Sequence, residues 1–306
     1  FPSTTPVVLT SLAMGHWPSK HGVTGWYTYL PDYNVISTII KFVKKSDGLS
    51  LDTLGAVPDK VFPVPSLFSR FATNALSLIP SHLANTTYSK YFSGSVPILS
   101  YETLDEAFEI IITQLNQPKN PTFTYLYTPK IDSAAHSFGT SEPRTLDAIC
   151  TFERKIESLA SHLPSNTKLV LTADHGLLDA EPGAIHNIDP NDELVNLLEG
   201  PVWGDSRICY FNVREQNRLH FQEIFKARFG DLFILITREE AKYSGIFGKG
   251  KPSPISSNRI GNLMAISMGT SVINFTSHHQ LEHTHTKVGY HSGLTPDEML
   301  IPLIVI

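Results

Sequence analysis

The chain has 306 residues and a formal charge of −5, so it is long enough for one large α/β domain or two small ones and shows no basic bias toward nucleic acid. No apolar run approaches the roughly 20 residues of a membrane helix. The only cysteines, Cys150 and Cys209, are too few for a disulfide framework or a thiolate zinc site, and we predict two buried free thiols. Because the sequence begins at Phe1, we expect the natural N-terminus to be missing and read no compartment from it.

The first predicted element is a helix with hydroxyl residues at its start. A threonine or serine is a favourable N-cap, Pro6 suits the first helical position, and apolar residues recur from Val7 to Ala13. Helix capping alone explains one of these threonines. The same helix end gathers free N–H groups and positive partial charge, so it could also receive a phosphate beside the hydroxyl of Thr5.

The following chain predicts alternating helices and strands. The apolar spacing from Ser66 to Leu83 predicts an amphipathic helix. The later predicted elements are strand Val96–Leu99, helix Thr103–Leu115, strand Phe123–Tyr127, helix Glu142–Leu163, strand Leu169–Leu171, strand Arg207–Val213, helix Gln216–Phe229, and strands Leu232–Ile236, Leu263–Ile266 and Ile301–Ile306.

The order of these elements indicates the fold class. The strand–helix–strand order around Glu142–Leu163 favours a βαβ unit, and the apolar run Leu169–Leu171 is typical of a buried parallel strand. We therefore predict a single α/β domain over residues 1–306, with a mostly parallel central sheet and helices on both faces.

Acidic and imidazole side chains follow predicted strands or turns at three places. Asp132 and His136 are four residues apart, so on a helical turn they face the same side. Asp174 and His175 come directly after a predicted strand, where ligands of open α/β sheets bind. His291 lies between glycines that allow a close approach to a site. These residue types suit zinc or manganese, although each pattern alone is also common in ordinary turns and helices.

Two further groups of residues could border a site. The histidines at positions 278, 279, 283 and 285 predict a polar loop or lid, which we prefer to a metal trap. Trp26 and Tyr27 could contact a substrate, although aromatic residues near a loop more often serve packing.

The motifs together resemble the alkaline phosphatase superfamily, specifically its type I phosphodiesterase/nucleotide pyrophosphatase branch. The segment from Phe1-Pro2-Ser3-Thr4-Thr5 to His21-Gly22 is similar to the nucleophile region of that family. The family's metal motifs resemble Asp132-x-x-x-His136 and Thr172-Ala173-Asp174-His175-Gly176, and its C-terminal signature resembles Gly289-Tyr290-His291 with Leu294–Leu303.

The resemblance implies a hydrolase with two divalent cations, Zn²⁺ in the first place and Mn²⁺ as the alternative. The implied ligands are Asp132, His136 and His291 for one cation, and Asp174, His175 and the oxygen of Thr5 for the other. Metal coordination activates a hydroxyl, and two cations can clamp the attacking and leaving oxygens. The implied intermediate is a phospho-threonine at Thr5, which the motif alignment favours over Thr4.

The chain departs from the family pattern at two points. The family places a further metal-ligating aspartate after a first strand, upstream of the nucleophile, so we expect that strand to be missing here and metal occupancy to be partial. The residues soon after the His21-Gly22 turn, Thr24-Gly25-Trp26-Tyr27, include no asparagine, so main-chain N–H groups or Tyr27 would support the phosphate. A phosphonate or phosphomonoester hydrolase and a non-catalytic phosphate-binding domain therefore stay open as alternatives. The expected substrate is a small-molecule phosphodiester or pyrophosphate and no nucleic acid polymer, with a substrate-facing insertion around residues 27–99.

Overall fold

The computed structural model describes residues 1–70, 74–116, 122–275 and 287–306. The α-helices are α1 (Thr5–Met14), α2 (Pro18–His21), α3 (Pro58–Val61), α4 (Ser81–Ala84), α5 (Thr87–Ser93), α6 (Leu104–Leu115), α7 (Lys130–Phe138), α8 (Pro143–Ser161), α9 (Glu193–Asn196), α10 (Arg218–Phe229), α11 (Arg238–Tyr243), α12 (Pro254–Asn258) and α13 (Pro296–Met299). The strands are β1 (Tyr27–Leu30), β2 (Val35–Thr38), β3 (Val43–Lys44), β4 (Asn74–Pro80), β5 (Ile98–Tyr101), β6 (Thr122–Leu126), β7 (Val170–Thr172), β8 (Leu178–Asp179), β9 (Ile185–Ile188), β10 (Trp203–Gly204), β11 (Ile208–Phe211), β12 (Phe233–Thr237), β13 (Leu263–Ser267), β14 (Val272–Phe275), β15 (Gly289–Tyr290) and β16 (Leu303–Val305).

The strands pair into two larger sheets and three two-stranded ones. The larger sheets have the orders β12-β13-β11-β10-β1-β2-β3, with antiparallel neighbours, and β5-β4-β6, with parallel neighbours. The smaller sheets pair β14 with β9, β15 with β8, and β16 with β7. Within residues 27–99, β1–β3 therefore extend the antiparallel sheet, while β4 and β5 belong to the parallel one.

Helices cover both faces of the parallel sheet. On one face, Leu76 and Leu78 of β4 pack in a core with α6 and α8. On the other face, Ala75 of β4 and Phe123 and Tyr125 of β6 pack against a core that includes α1 and α5. This alternation of side chains between two helical layers confirms the predicted α/β class.

The predicted helices at Thr103–Leu115, Glu142–Leu163 and Gln216–Phe229 are confirmed as α6, α8 and α10. The prediction of a helix over Ser66–Leu83 is wrong, because the segment contains a 3₁₀ turn at Leu67–Arg70 and then strand β4. β4 is the central strand of the parallel sheet, so both of its faces are apolar. An apolar run of this kind satisfies helical spacing as well as strand burial.

The strand predicted at Leu169–Leu171 is present as β7, but the prediction of a buried parallel strand is wrong. β7 pairs antiparallel with β16, and 54% of Val170 is exposed. Among the described strands, the parallel pairs are instead β4 with β5, β4 with β6, and β9 with β14. A short apolar run cannot by itself reveal the direction of its partner strand.

The remaining sequence predictions concern cysteines, histidines and membrane spans. Cys209 is buried as predicted, but Cys150 is exposed on α8, so that part of the prediction is wrong. The histidines predicted to form a loop or lid lie outside the described residues. Among the helices of the described ranges, none has the length and apolar character needed to cross a bilayer.

Candidate metal and nucleophile site

The first cluster of the site joins the start of α7 to the chain after β15. Asp132 Oδ1 lies 3.3 Å from Nε2 of His136, one helical turn further along α7, and 3.8 Å from Nε2 of His291. The two Nε2 atoms are 3.1 Å apart. Gly289 permits this close approach, because a Cβ there would lie 2.5 Å from the carbonyl oxygen of Ala135.

In both histidines, the other ring nitrogen is bound to the main chain. Nδ1 of His136 lies 2.7 Å from the oxygen of Gly289, and Nδ1 of His291 lies 2.9 Å from the oxygen of Ser3. Since a carbonyl oxygen only accepts hydrogen bonds, each neutral ring carries its proton on Nδ1 and a lone pair on Nε2. Two lone pairs that face each other cannot share a hydrogen bond, but both can bind a cation.

The charges and burial of this cluster also fit a cation. Asp132 Oδ1 is buried and has no hydrogen-bond partner among the described residues. Burial lowers the pKa of His291 well below its ordinary value, and the nearby His175 and His136 lower it further. Burial also lowers the pKa of His136. Both rings are therefore neutral, which is the form that binds zinc or manganese together with a carboxylate.

The hydroxyl of Thr5 lies beside the second acid/imidazole pair. Thr5 is the first residue of α1, and its Oγ1 is 3.2 Å from Nε2 of His175. Asp174 Oδ2 is 3.5 Å from the same nitrogen, and Nδ1 of His175 is 2.9 Å from the oxygen of Gly176. The rings of His175 and His291 stack with their centroids 3.8 Å apart, so the two clusters are adjacent.

Sequence comparison identifies the family of the chain. The family model described as "Type I phosphodiesterase / nucleotide pyrophosphatase" matches residues 1–293. The chain belongs to this family. It is therefore a hydrolase of phosphoric esters, and the resemblance inferred from the motifs is confirmed. No protein of curated function matches the sequence.

Solved structures of this superfamily share the fold. The murine ectonucleotide pyrophosphatase/phosphodiesterase 5, solved as an inactive variant in complex with AMP, has a TM-score of 0.69 at 15% identity, covering 99% of this chain and 76% of the other. The human protein of the same name has a TM-score of 0.73 at 13% identity, covering 100% and 77%. Phosphonoacetate hydrolase from Sinorhizobium meliloti, solved with phosphonoacetate, has a TM-score of 0.68 at 16% identity, covering 99% and 79%.

The candidate site also contains residues that the sequence did not reveal. Ser3 binds the His291 ring through its carbonyl oxygen, and its hydroxyl donates to the oxygen of Gly293 at 2.8 Å. Arg207 and Glu298 form an ion pair with both side chains fully buried, and Glu298 also accepts a hydrogen bond from the N–H of Gly293. The only sequence signal for this ion pair was the position of Arg207 directly before the apolar strand β11.

Trp26 and Tyr27, which we predicted to contact a substrate, lie directly before and at the start of β1 in the antiparallel sheet. The side chain of Trp26 is partly buried against the core that includes α1, and its main-chain N–H donates to Oδ2 of Asp205 at 3.4 Å. Tyr27 begins β1, and the ammonium of Lys45 lies 4.1 Å from the centroid of its ring. The side chain of Tyr27 therefore packs under a cation.

Proposed function

We propose that the chain is a two-metal phosphodiesterase/pyrophosphatase that acts through a covalent phospho-threonine at Thr5. The observation that carries the proposal is that the cluster of Asp132, His136 and His291 adjoins the Thr5 hydroxyl and its partner His175, because the rings of His175 and His291 stack. Metal dependence is general in this family, and the group of Asp132, His136 and His291 has its ligand atoms within 4.8 Å of one another.

The cluster of Asp132, His136 and His291 would hold one divalent cation. Asp174, His175 and the Thr5 oxygen would hold the other. When bound, the cations would lower the pKa of the hydroxyl and neutralise charge on the attacking and leaving oxygens. Zinc is the cation that best fits this set of imidazole and carboxylate ligands.

The chain itself supplies the nucleophile and positions the phosphoryl group. The Thr5 oxygen attacks phosphorus, its proton leaves to solvent, and the bond from phosphorus to the leaving oxygen breaks. Thr5 is the first residue of α1, so the partial positive charge of a ten-residue helix faces the phosphoryl oxygens. Water then hydrolyses the phospho-threonine and restores the hydroxyl.

Thr5 is supported over Thr4 by the surroundings of the two side chains. The hydroxyl of Thr5 is 3.2 Å from His175 Nε2, whereas Thr4 is fully buried and its hydroxyl has no hydrogen-bond partner among the described residues. No metal-ligand candidate among the described residues hydrogen-bonds to the Thr4 hydroxyl.

Two alternatives rest on specific observations. One similar structure is a phosphonoacetate hydrolase, which keeps cleavage of a phosphonate or a phosphomonoester open for this chain. A non-catalytic phosphate-binding domain is disfavoured, because both acid/imidazole pairs and His291 are retained at contact distance.

Turnover of bis(p-nitrophenyl) phosphate tests the proposal. We expect chelator to abolish turnover and Thr5→Ala to lower kcat by at least about a thousandfold while metal content stays nearly unchanged. Thr4→Ala is the matched control and should retain most activity. Unchanged turnover in Thr5→Ala would remove this residue from the mechanism, and a parallel assay with phosphonates and monoesters separates the alternatives.

A further inference from the structure

Ser3 forms hydrogen bonds with three consecutive residues of the loop after β15. Its carbonyl oxygen accepts from Nδ1 of His291 at 2.9 Å. Its hydroxyl accepts from the main-chain N–H of Ser292 at 3.2 Å and donates to the carbonyl oxygen of Gly293 at 2.8 Å, since a hydroxyl can do both at once. We call these three hydrogen bonds the Ser3 clamp. The clamp holds the ring of a proposed metal ligand and the main chain directly after it.

Ser292, inside the clamp, has a main-chain conformation that its side chain disfavours. Its φ is +101°, in the region where glycine is favoured and residues with a Cβ are rare. The residue is fully buried, and its hydroxyl has no hydrogen-bond partner among the described residues, so its own side chain does not offset the strain. Such a conformation persists where the surrounding contacts impose it. The hydroxyl of Ser3 supplies such contacts, because it binds the N–H of Ser292 and the carbonyl oxygen of the next residue.

A short buried piece of chain connects the clamp to the nucleophile. Thr5, the first residue of α1, lies two residues after Ser3. Thr4 between them is fully buried and extended, and its carbonyl oxygen accepts from the N–H of Val7 in the first turn of the helix. Two extended residues span at most about 7 Å. A displacement of Ser3 would therefore move the start of the helix relative to the loop of His291.

We propose that Ser3 is a positioning residue for the reaction. Its hydroxyl holds the strained turn at Ser292 and thereby fixes His291 relative to Thr5. Without the hydroxyl, Ser292 would relax toward the negative φ that its side chain favours, and Nε2 of His291 would no longer face Nε2 of His136. The inference rests on the proposed function, because it takes His291 as a metal ligand and Thr5 as the nucleophile.

Binding of Co²⁺ alone tests the clamp without the need for turnover. Co²⁺ is a visible substitute for Zn²⁺, and it shifts the NMR signals of the ring N–H protons of the histidines that bind it. We expect Ser3→Ala to lower Co²⁺ affinity by about tenfold and to change the signal of His291, which is assigned by its absence in His291→Ala. The signal of His136 should stay, because its Nδ1 is bound by Gly289 instead.

A second substitution separates positioning from a general loss of structure. Glycine accepts φ of either sign, so Ser292→Gly in the Ser3→Ala protein removes the tendency of the turn to relax. The double variant should bind Co²⁺ at least about threefold more tightly than Ser3→Ala. Ser3→Cys keeps a weak donor and acceptor, so its affinity should lie between those of the wild type and Ser3→Ala, which tests the clamp even where Ser3→Ala folds poorly.

Ser66→Ala is the matched control. The buried hydroxyl of Ser66 has the same two roles as that of the clamp, since it donates to the carbonyl oxygen of Phe92 at 2.6 Å and accepts from the N–H of Phe68 at 3.2 Å. The next residue, Leu67, lies against Gly15 at the opposite end of α1 from the nucleophile. Ser66→Ala should lower stability to urea and leave Co²⁺ affinity unchanged.

Two results would overturn the clamp. One is a Ser3→Ala protein with the Co²⁺ affinity and the His291 signal of the wild type. The other is a double variant with Ser292→Gly that binds Co²⁺ no more tightly than Ser3→Ala.

The two proposals can fail separately. If no ester is hydrolysed, the mechanism at Thr5 is rejected, but Co²⁺ affinity and a His291 signal that depend on the Ser3 hydroxyl would still establish that Ser3 positions His291. If hydrolysis depends on Thr5, metal-saturated Ser3→Ala should have a lower kcat with little change in KM, because the nucleophile is displaced. Wild-type kcat and Co²⁺ affinity in that variant would reject the clamp alone.

Discussion

The site histidines share one hydrogen-bonding arrangement, in which Nδ1 is bound by a main-chain carbonyl oxygen. His136, His175 and His291 all have this arrangement, and the carbonyl groups belong to Gly289, Gly176 and Ser3. Each ring is thereby fixed in one orientation and one tautomer before any ligand binds. Since the main chain supplies these contacts, substitution of the carbonyl residues would alter them less than substitution of the rings.

The arrangement predicts how metal binding depends on a single ring. His291→Ala removes one of the two Nε2 lone pairs of the first cluster, so we expect metal affinity to fall by at least about tenfold. Loss of a residue that only hydrogen-bonds to a metal ligand already lowers affinity by about that factor. The measurement is bound metal per chain after dialysis against a metal buffer.

A matched control for His291→Ala is His162→Ala. The ring of His162 also has Nδ1 near a carbonyl oxygen, that of Ser158 at 2.7 Å, but it lies at the surface at the end of α8. It should leave metal content unchanged. Equal metal content in the His291 variant would contradict its assignment as a ligand.

At the residue scale, the sequence predicted the residues that carry local motifs. Asp132 and His136 stand four apart on one helix, and Asp174 is next to His175, but such spacing is common, and only the combination of motifs across the chain pointed to these residues. Ser3 could not be predicted in this way, because its contacts with Gly293 and His291 span nearly the whole chain. Only the folded structure brings these segments together.

At the element scale, an element with a clear boundary signal was easier to predict from sequence than one without. α6 begins at a threonine cap whose hydroxyl accepts from the Glu106 N–H, and its apolar residues keep helical spacing throughout. β4 has no such boundary signal, and its two apolar faces follow from its central place in the sheet. That place depends on β5 and β6, which come later in the chain.

The packing of α2 on α1 contains a buried neutral histidine. Nδ1 of His21 accepts from the Val23 N–H at 3.1 Å, so the proton is on Nε2, which is 2.9 Å from the hydroxyl of Ser11. Burial lowers the pKa of His21 to about 3, and Arg259 adds to the effect. A proton on Nδ1 would place two N–H groups against each other.

This histidine predicts a loss of stability in mild acid. Between pH 6.5 and about 3, His21 binds a proton in the unfolded chain but not in the folded chain. The free energy of unfolding therefore falls as pH falls, by about 1.4 kcal/mol per pH unit below the unfolded pKa. His21→Gln should flatten this slope, measured by urea unfolding between pH 6.5 and 5. The exposed His82→Gln is the control, and an unchanged slope in His21→Gln would refute the account.

At the scale of the whole molecule, one buried ion pair joins the antiparallel sheet to the site. The guanidinium of Arg207 donates from Nε and Nη2 to Glu298 at 2.7 and 2.8 Å, and further to the oxygens of Gly269 and Ser271. Glu298 in turn accepts from the N–H of Gly293, two residues after His291. The pair thus connects β11 and the chain after β13 to the loop that carries a proposed metal ligand.

The ion pair predicts that acid lowers both the stability of the fold and the affinity of the site for metal. Burial raises the pKa of Glu298, but the hydrogen bonds and charge of Arg207 outweigh it, so the pKa lies below its ordinary value. A carboxyl with a lowered pKa in the folded state contributes stability above its unfolded pKa of about 4.5, and this contribution is lost as pH falls through the folded pKa. Metal release and unfolding should therefore coincide in that acid range.

Glu298→Gln should cause the same loss of stability and of bound metal at neutral pH. It leaves the Arg207 charge buried without its partner, so we expect a fall of about 3–5 kcal/mol in the free energy of unfolding, together with weaker metal binding because the loop of His291 is no longer held. The double variant Arg207→Met with Glu298→Leu removes both charges and should recover much of the stability but not the hydrogen bond to Gly293. Urea unfolding and bound metal, measured on both variants, separate the two effects. If the double variant regains full metal affinity, the Gly293 contact does not position His291, and the pair acts on stability alone.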